Sequence, residues 1–585
     1  MTPETKSYDV VICGGGLAGL ALARQISLKK RGWTVLVLEK QAGPLPDSAF
    51  KVGESTIESG AYYYAQTIQL EDYLETEHLE KLGLRYFYGG GATPLARRPE
   101  FGVRKFLPAK SYQLDRGLLE EHLRDLIKES DLEFVEGADV KSIELADEGA
   151  PHTVHYQAGG EETSVSARWV VDAMGRRRCL QRQLGLMKEN EGAFNSAWFR
   201  VKGKVTEDDW VDDSEVSYHS RVDDPRWQST THFMGAGYWV WLIPLSPGNT
   251  SVGIVASDAL HPVDGYRTYE KAMEWLKRHE PLVAEKLRDF ELMDFKVLKD
   301  YSYTSHQMFS KNRWVCVGES GVFADPYYSV GSNMIAFANG FAEELIRRDL
   351  DGQLDAEYVD HCNHVFLTLN DALTDTIHRS YHFHDNAQVM AFKTIWDYYI
   401  GWTTTDPQLY HEVFLDPKRS KAMSGLLSHV IVAQARMLKL FDDWATHPQH
   451  YTFEFIDYIE DLPTLTRLFV KNLPPKNTDF RSLTQRLREA VNYVEDLAQF
   501  IFQFAVNDVY PEKTAQFGER PWVNIGAISL HPDQWEADGL FEPRTQARDI
   551  SYLEKEIGGL FRRIDNAVAG ASTVPEAVGS GNVTC

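Results

Sequence analysis

The sequence contains few cysteines, and their positions exclude a disulfide framework and a thiolate metal site. The five cysteines, at 13, 179, 316, 362 and 585, include no Cys-x-x-Cys pair. Scattered cysteines of this kind are typical of a reducing compartment, so we expect a cytoplasmic protein. His378, His382 and His384 are close in sequence, but no further ligand follows at metal-like spacing. We interpret them as a helix surface and predict no metal site.

Long apolar runs and an excess of positive charge are also missing. No apolar stretch approaches the ~18 residues of a membrane span, and we expect no secretory leader, since the first predicted strand already begins at Tyr8. The 61 Lys and Arg residues against 85 Asp and Glu give a net charge of −24. This balance argues against nonspecific binding to nucleic acid. We therefore expect a protein that binds neither nucleic acid nor membrane.

What the sequence does contain is enough length and apolar content for several domains. Its 585 residues, 43% of them hydrophobic, exceed what one compact core accommodates. Residues 8–40 follow the pattern of strand, glycine turn, helix and strand. Residues 193–305 show short β segments, and residues 355–510 are mostly helical in periodicity. We predict an α/β protein with an inserted antiparallel β-sheet domain and a mostly α-helical C-terminal region.

The glycine turn after the first strand is the clearest binding motif. Gly14, Gly16 and Gly19 form the pattern G-x-G-x-x-G, in which the missing side chains let the backbone approach a pyrophosphate. The next helix begins near Leu17-Ala18, and its N-terminus favours negative charge. Glu39, at the end of the second strand, is placed to accept hydrogen bonds from ribose hydroxyls. Together these features predict a dinucleotide site.

Three further segments resemble nucleotide-contact elements of the FAD-dependent aromatic monooxygenase-like superfamily. In one of them Glu319 stands where the superfamily has Asp. The resemblance implies a Rossmann-like FAD-binding domain of the GR2 type. The segments are Gln113–Leu119 with Arg116, Val170–Gly175 with Asp172 and Gly175, and Val315–Pro326 with Gly318, Asp325 and Pro326, each expected to bind the cofactor.

This interpretation divides the chain into domains and raises the question of how the flavin is reduced. No second strand-turn-helix unit with the glycine pattern is visible, so either NAD(P)H binds transiently or a separate flavin reductase supplies FADH2. We favour the reductase. The expected domains are FAD binding at 1–190 and 306–350, an antiparallel substrate domain at 191–305, a helical substrate-covering domain at 351–570 and a flexible tail at 571–585.

Two more motifs resemble the signatures of flavin-dependent halogenases. Residues 239–244 resemble W-x-W-x-I-P, and residues 323–331 resemble F-x-x-P-x-x-S-x-G. The resemblance implies an enzyme that uses FADH2, O2 and chloride or bromide to form hypohalous acid. It further implies two sets of residues: Trp239, Trp241, Ile243 and Pro244 as a barrier between flavin and substrate, and the backbone of Val330 and Gly331 as the halide site, with Gly331 also touching the cofactor.

The segment Lys81–Phe87 resembles the K-x-G-x-x-F pattern of the phenol and pyrrole branch of that family. The resemblance implies that Lys81 delivers the halogen to the substrate. Tryptophan halogenases have Glu where this chain has Tyr328, so we expect a phenol or pyrrole-like aromatic of secondary metabolism, with Tyr328 and Ser329 at the substrate end. The substrate is either free or tethered to a carrier protein, for which the basic residues of 97–105 are a candidate surface.

Two other functions stay open at this point. A halogenase-like flavoprotein could act as a monooxygenase or dehydrogenase that does not use halide, since Glu319 and Tyr328 depart from the family pattern. The third, non-catalytic hypothesis is a flavin-binding scaffold in a biosynthetic complex. Turnover that ignores halide would indicate the second function, and a flavin that never reacts with O2 would indicate the third.

Overall fold

The computed structural model describes residues 6–45, 51–147, 149–474, 478–542 and 548–564. The predicted tail at 571–585 lies outside these residues. Within them, two eight-stranded sheets and a layer of long helices make up most of the molecule. The predicted α/β fold class, with a second and largely antiparallel sheet and a helical C-terminal region, is confirmed.

The first sheet has a parallel core of buried aliphatic strands. Ser7–Cys13 pairs in parallel with Val35–Glu39 on one side and with Glu161–Asp172 on the other. Residues 10–12 have no exposed surface, as expected for a strand covered on both faces. Across the sheet the order is Phe309–Ser310, Trp314–Cys316, Glu161–Asp172, Ser7–Cys13, Val35–Glu39 and Glu133–Glu136, while His152–Ala158 and Asp139–Glu144 continue it from Glu161–Asp172.

Three helices that accompany this sheet begin close together. Leu17–Lys29 follows the first strand and packs against both Arg116–Lys128 and Gly331–Leu350. The helix Arg116–Lys128 is capped by Asp115, whose side chain accepts from the Leu118 N–H at 3.0 Å. Leu17, Arg116 and Gly331, the first residue of each helix, all line the same groove. The positive ends of three helices therefore face one groove, where they favour anionic ligands.

The second sheet includes more of the chain than residues 191–305. Its central strand, Tyr238–Leu245, lies antiparallel to Thr230–Gly235 and to Asn249–Ser257. Leu84–Phe87 joins in parallel beside Thr230–Gly235, which places the segment that follows Lys81 at this sheet. The order is Glu291–Leu298, Phe194–Lys202, Asn249–Ser257, Tyr238–Leu245, Thr230–Gly235, Leu84–Phe87, Glu100–Gly102 and Phe455–Asp457.

The C-terminal region consists of long helices with amphipathic faces. In Phe480–Val509 the predicted apolar positions 483, 487, 490, 491, 494 and 497 are all buried. A π-helical turn, Gly401–Thr405, connects Ala387–Ile400 to Asp406–Tyr410, and a second one, Tyr63–Thr67, follows Glu58–Tyr62. No helix in the described ranges is long and apolar enough to cross a membrane. The other long helices are Ala356–His378, Pro417–Ala445 and Pro463–Asn472.

Candidate active site

A long groove runs from the glycine turn to the tryptophan strand of the second sheet. It contains most of the residues that the sequence predicted for the cofactor and the barrier. Those that line it are Gly14, Gly16, Leu17, Ala18, Glu39, Arg116, Gly175, Gly318, Pro326, Ser329, Gly331, Trp239, Trp241 and Ile243. Gly19, Pro244, Asp172, Asp325, Tyr328, Val330 and Lys81 are not among the lining residues.

The glycine turn is shaped by close backbone contacts. Gly14 has φ +114°, and a Cβ there would lie 2.4 Å from Ala173 O. Gly19 packs beneath the turn, where a Cβ would lie 2.1 Å from Gly14 O. A Cβ at Gly16, by contrast, meets no protein atom within 4 Å, because this residue faces the groove. The turn is thus closed on the protein side and open toward a ligand, as a pyrophosphate site requires.

Glu39 is oriented at the edge of the groove by the backbone. Its carboxylate accepts from the Gly15 N–H at 2.7 Å and from the Gln41 N–H at 2.9 Å. The buried guanidinium of Arg124 stands behind it, with Nη2 3.9 Å from Glu39 Oε1. The side chain is therefore fixed in position and keeps acceptor capacity for ribose hydroxyls.

The middle of the groove is charged. Arg116 donates to Val52 O at 2.6 Å and pairs with Glu120 at 2.5 Å. Lys51, which also lines the groove, pairs with the same carboxylate. The two cations compensate the buried Glu120, and they leave positive charge facing the groove.

Asp172 shapes the groove indirectly, by fixing the backbone of the turn that follows it. Its carboxylate accepts from the N–H groups of Met174 (3.1 Å) and Leu180 (2.8 Å), and burial raises its pKa to about 6. These bonds set the course of residues 173–175, of which Gly175 lines the groove. The structure therefore places Asp172 one layer behind the surface on which the sequence had placed it.

Asp325 lies in the interior rather than on the groove wall. Its Oδ2 accepts from the hydroxyls of Tyr301 and Tyr381, both at 2.7 Å, and its Oδ1 accepts from the Tyr327 N–H at 2.9 Å. Tyr381 in turn accepts from Trp239 Nε1 at 3.0 Å. Asp325 thus ties the tryptophan strand to the helical region, and the adjoining Pro326 is the residue that reaches the groove.

The tryptophan strand forms one wall of the groove. Trp239, Trp241 and Ile243 point the same way on Tyr238–Leu245, as the alternation of a strand requires, and all three line the groove. Pro244 points to the other face. Trp241 is held by its Nε1, which donates to Ser251 Oγ at 3.1 Å. These large, buried side chains close the groove on that side. That they separate the cofactor from the substrate stays a prediction.

The turn before the helix Gly331–Leu350 has the geometry of an anion site. Ser329 adopts the left-handed conformation (φ +58°) and Val330 is right-handed (φ −77°, ψ −5°). Successive amides in such a pair point into one concavity, which favours an anion. In the described part of the chain, neither the Val330 nor the Gly331 N–H donates to a protein acceptor. Val330 is buried, and of these two residues Gly331 is the one that lines the groove.

Lys81 is buried one hydrogen bond behind the groove. It is 2% exposed, and its Nζ donates to Ser55 Oγ at 2.9 Å and to Thr56 O at 2.7 Å. Ser55 itself lines the groove and contacts Thr230 Oγ1 at 2.7 Å. Burial lowers the pKa of Lys81 from 10.5 to about 7. We call Lys81, Ser55, Thr56, Thr230 and Gln113 the Lys81 cluster.

Tyr328 faces the helical region. Its hydroxyl donates to Asp397 Oδ2 at 2.7 Å, and the same oxygen pairs with the buried Lys393 one helical turn away. Burial raises the pKa of the Tyr328 hydroxyl well above its ordinary value. The Glu of tryptophan halogenases is thus replaced by a tyrosine that reaches a carboxylate 69 residues further along the chain. Nothing in the local sequence signals that pairing.

Part of the groove wall was missed by reasoning from the sequence. Trp198, on Phe194–Lys202, lines it beside the tryptophan strand. His232 also lines it, and its Nδ1 lies 3.0 Å from Arg85 O. Burial lowers the pKa of His232 to about 3, so this ring is neutral. The aromatic composition of the strand was a usable signal for Trp198, whereas the position of His232 depends on pairing with Leu84–Phe87.

The basic residues of 97–105 do not form a free positive surface. Arg97 pairs with Glu215 at 3.2 Å, and Arg98 is buried against Glu280 at 2.7 Å. The two remaining cations are paired as well: Arg104 with Asp457 and Glu460, and Lys105 with Asp223 and Glu460. Acidic partners from distant segments thus compensate much of this positive charge, and docking of a carrier protein on residues 97–105 stays a prediction.

The three clustered histidines are separated by the fold. His378 Nε2 lies 3.8 Å from Asp325 Oδ2, His382 is exposed, and His384 is buried with Nε2 3.0 Å from Ser380 Oγ. Within the described ranges, no group of three His, Cys, Asp or Glu side chains has metal-binding geometry.

Comparison with known proteins places this geometry among flavoproteins. A family model described as FAD binding domain matches residues 7–336. Flavin-dependent halogenase chlA of Dictyostelium discoideum is 28% identical over 369 residues, 58% of this chain and 60% of that protein. A 1H-pyrrole-2-carbonyl-peptidyl-carrier-protein brominase of Pseudoalteromonas luteoviolacea is 26% identical over 357 residues, 60% of this chain and 79% of that one. The chain thus matches less than two thirds of the length of the first of these relatives.

Solved structures give the same fold. Halogenase PltM in complex with phloroglucinol and FAD aligns over 84% of this chain and 95% of that chain, with a TM-score of 0.58 and 17% identity. The flavin-dependent brominase Bmp2 aligns over 70% of this chain and 92% of that chain, with a TM-score of 0.51 and 22% identity. At this identity the likeness concerns the fold.

Proposed function

The chain belongs to the FAD-binding domain family, and from that premise we propose that it is a flavin-dependent halogenase of the phenol or pyrrole branch. It would generate hypohalous acid from chloride or bromide and transfer the halogen to an electron-rich aromatic of secondary metabolism. The observation that carries the proposal is Lys81, a buried lysine of lowered pKa one hydrogen bond from the groove. An ordinary surface lysine has neither property.

The groove fits FAD. A side chain at Gly14 would collide with Ala173 O, and the open side of the turn at Gly16 leaves room only toward the groove. Gly14–Ala18 would bind the pyrophosphate, Glu39 the ribose, and Arg116 and Gly318 the flavin half. When it is bound and reduced, FAD would supply the two electrons and two protons by which O2, halide and one further proton give hypohalous acid and water.

The turn at Ser329–Gly331 is the proposed halide site. Two amide N–H groups and the N-terminus of a twenty-residue helix favour an anion there, and the aromatic wall of Trp239 and Trp241 keeps the site dry. A weakly hydrated halide is stabilised by donors that need no reorganisation.

In this proposal, hypohalous acid forms beside the cofactor, and the halogen is transferred to the substrate near Lys81, with the aromatic wall between the two places. Trp239, Trp241 and Ile243 would keep the aromatic substrate away from the cofactor, so that hypohalous acid has to travel to it. Lys81 would hold the oxidant where the substrate binds. The aromatic carbon then gains halogen and loses a proton, and the oxygen leaves as water. Tyr328 and Ser329 are the proposed boundary of the substrate end.

Two partners follow from this function. We propose that a separate flavin reductase supplies FADH2, because the sequence has only one glycine unit with the dinucleotide pattern. The substrate is a small aromatic. By its name, the Pseudoalteromonas relative acts on a pyrrole-2-carbonyl group held by a peptidyl carrier protein. The substrate test therefore includes free aromatics and the same groups bound to a carrier.

The test is turnover by the purified protein with FAD, a flavin reductase, NADH and O2, in bromide and in halide-free buffer. We expect a product with the bromine isotope doublet in mass spectra, formed only with bromide. Lys81→Ala should reduce bromination by on the order of 10²–10⁴, the effect of losing a group that acts at the reacting atoms, while FAD stays bound. Lys105→Ala, which removes an exposed lysine, serves as the control.

Other outcomes would replace this function. Oxygenated or desaturated product in equal amounts with and without bromide would indicate the halide-independent monooxygenase or dehydrogenase. Full bromination by Lys81→Ala would remove the role given to Lys81. Reduced flavin that is stable in O2 would indicate a scaffold.

A further inference from the structure

Two buried carboxyl groups lie beside the Lys81 cluster and do not line the FAD groove. Glu58, 6% exposed, is the first residue of the helix Glu58–Tyr62, and Asp406, 3% exposed, is the first residue of Asp406–Tyr410. Ser59 Oγ donates to Asp406 Oδ1 at 2.6 Å and so connects the two helices. Each helix adjoins a π-helical turn, a geometry that is frequent at functional sites.

The hydrogen bonds of the Lys81 cluster have a fixed direction. Gln113 Nε2 donates to Gln228 O at 3.3 Å, which leaves Gln113 Oε1 to accept from Thr230 Oγ1 at 3.0 Å. Since the Thr230 proton is used there, the hydrogen bond of 2.7 Å between Ser55 Oγ and Thr230 Oγ1 is donated by Ser55. Ser55 Oγ therefore accepts from Lys81 Nζ.

Lys81 Nζ consequently donates two hydrogen bonds, one to Ser55 Oγ and one to Thr56 O. One position on the nitrogen is left. It carries a third N–H when Lys81 is an ammonium and a lone pair when Lys81 is an amine. The charge of Lys81 thus decides whether it offers hypohalous acid a hydrogen-bond donor or a nucleophile.

Glu58 is the acidic group coupled to that charge. Ser111 connects the two residues, because its carbonyl accepts from the Lys81 backbone N–H at 2.8 Å and its hydroxyl donates to Glu58 Oε1 at 3.3 Å. Burial lowers the pKa of Lys81, and the negative charge of Glu58 opposes that change. Burial raises the pKa of Glu58, and the positive charge of Lys81 opposes this in turn.

Asp406 is the carboxyl group of this pair that takes up a proton more readily. Burial raises its pKa to about 7, and the neighbouring Glu58 raises it as well. Two carboxyl groups in one buried site do not ionise together readily, so the charge lies on Glu58, which has Lys81 opposite. The other titratable groups that face these residues are neutral near neutral pH: Tyr410 and Tyr458 toward Glu58, and His232 toward Lys81.

We propose that Glu58, with Asp406 behind it as the carboxyl group that takes up a proton, is a positioning residue that favours the ammonium form of Lys81. This rests on the proposed halogenase function, in which the third N–H of Lys81 is donated to the oxygen of hypohalous acid. The carbon–halogen bond forms as the halogen–oxygen bond breaks, with the electron pair on oxygen. The aromatic proton combines with that oxygen to give water, and Lys81 keeps its three protons.

The test measures the charge of Lys81 directly in the FAD-loaded protein. Lysine labelled with ¹³C at Cε gives a resonance that reports the pKa of each side chain, and the resonance lost in Lys81→Arg is that of Lys81. Glu58→Gln should lower the Lys81 pKa by about 1, a tenfold fall in the ratio of ammonium to amine. Glu58→Asp keeps the negative charge, so its Lys81 pKa should lie close to that of the unmodified protein.

Two further variants separate this role from a general effect of buried acids. Asp406→Asn, measured below pH 7, should change the same ratio by less than about twofold, because Asp406 is largely protonated below its pKa of about 7. Glu207→Gln removes another buried carboxyl group, whose pKa burial raises to about 7, and should have no effect on Lys81. An unchanged Lys81 in Glu58→Gln, or a larger change in Asp406→Asn, overturns the proposal.

The pH dependence of bromination tests the consequence. In Glu58→Gln the alkaline limb should move to lower pH by the same amount as the Lys81 pKa. If activity instead rises on the acid side, Lys81 works as an amine and the ammonium role is wrong. If the Lys81 pKa shifts as expected but no variant brominates any aromatic, the assignment of Glu58 stands and the halogenase function is what fails.

Discussion

The FAD groove and the Lys81 cluster are neighbours, yet they are built in different ways. The groove is formed largely by backbone: the turn at Gly14, the amides at Val330 and Gly331, and three helix N-termini. The Lys81 cluster is formed by side chains whose protons have fixed directions and whose charges depend on one another. A cofactor common to many enzymes needs a shape, whereas control of one reactive nitrogen needs a charge balance.

The two regions also differ in how far apart their parts lie in the chain. The turn and the ribose acceptor come from one unit of about thirty residues between Ser7 and Glu39, as the βαβ motif requires. The Lys81 cluster and its acids come from segments near 55, 81, 111, 230 and 406. We therefore expect changes in the groove to remove the cofactor, and changes near Lys81 to alter charge while FAD stays bound.

The largest effect in this comparison is expected for Gly14→Val. Its Cβ would lie 2.4 Å from Ala173 O in a residue with φ +114°, so the turn has to move. Overpacking and left-handed strain together should lower FAD affinity by at least ~100-fold, which titration of the apoprotein with FAD would measure. Gly425→Ala, where a Cβ meets nothing within 4 Å, is the matched control. Unchanged affinity would mean that this turn does not bind FAD.

An intermediate effect is expected for Asp325→Asn. This residue was expected to bind the cofactor, but it does not line the groove. The amide has one accepting oxygen, so if that oxygen accepts from Tyr301 and Tyr381, its NH2 group faces the Tyr327 N–H, and the free energy of unfolding should fall by about 2–3 kcal/mol. FAD affinity should change much less than in Gly14→Val. Urea unfolding and FAD titration measure the two quantities. A large loss of FAD affinity with an unchanged free energy of unfolding would indicate that Asp325 contacts the cofactor after all.

The smallest effect per step of the measurement is a pH dependence of stability that belongs to Lys81. Its pKa is about 7 in the folded protein and 10.5 when unperturbed, so between these values the unfolded chain binds more protons. The free energy of unfolding should therefore rise with pH in that window, by about 1.4 kcal/mol per pH unit, and the gain should be lost as pH falls toward 7. Lys81→Met should lack this rise. Equal slopes in urea unfolding of the two proteins would contradict the lowered pKa.

Much of the groove could be predicted from sequence because its determinants are local. Gly14, Gly16 and Glu39 follow from the spacing of one strand-turn-helix-strand unit, and Trp239, Trp241 and Ile243 share a face because strands alternate. The resemblance to flavin-dependent halogenases is confirmed by the relatives found. The fold class follows from the same periodicities.

The acidic residues of these motifs were harder to place. Asp172 and Asp325 were expected to contact FAD, but each carboxylate is used to hold the protein's own chain. A sequence motif identifies the position of an acidic residue, but it does not determine whether the carboxylate contacts the ligand or the protein's own backbone and side chains. The basic segment at 97–105 is a similar case, because its compensating carboxylates come from residues as distant as Asp457 and Glu460.

By itself the sequence determined the cofactor, the α/β architecture and the wall of the groove, because short-range spacing and strand alternation fix those features. Only the tertiary structure decided that Lys81 is buried and that it donates to Ser55, the first member of a hydrogen-bond chain through Thr230 to Gln113. The same is true of the position of Glu58 and Asp406 beside it. These properties depend on desolvation and on charges brought together from distant segments. A pKa is set by the groups that surround a side chain in space, and no local pattern encodes them.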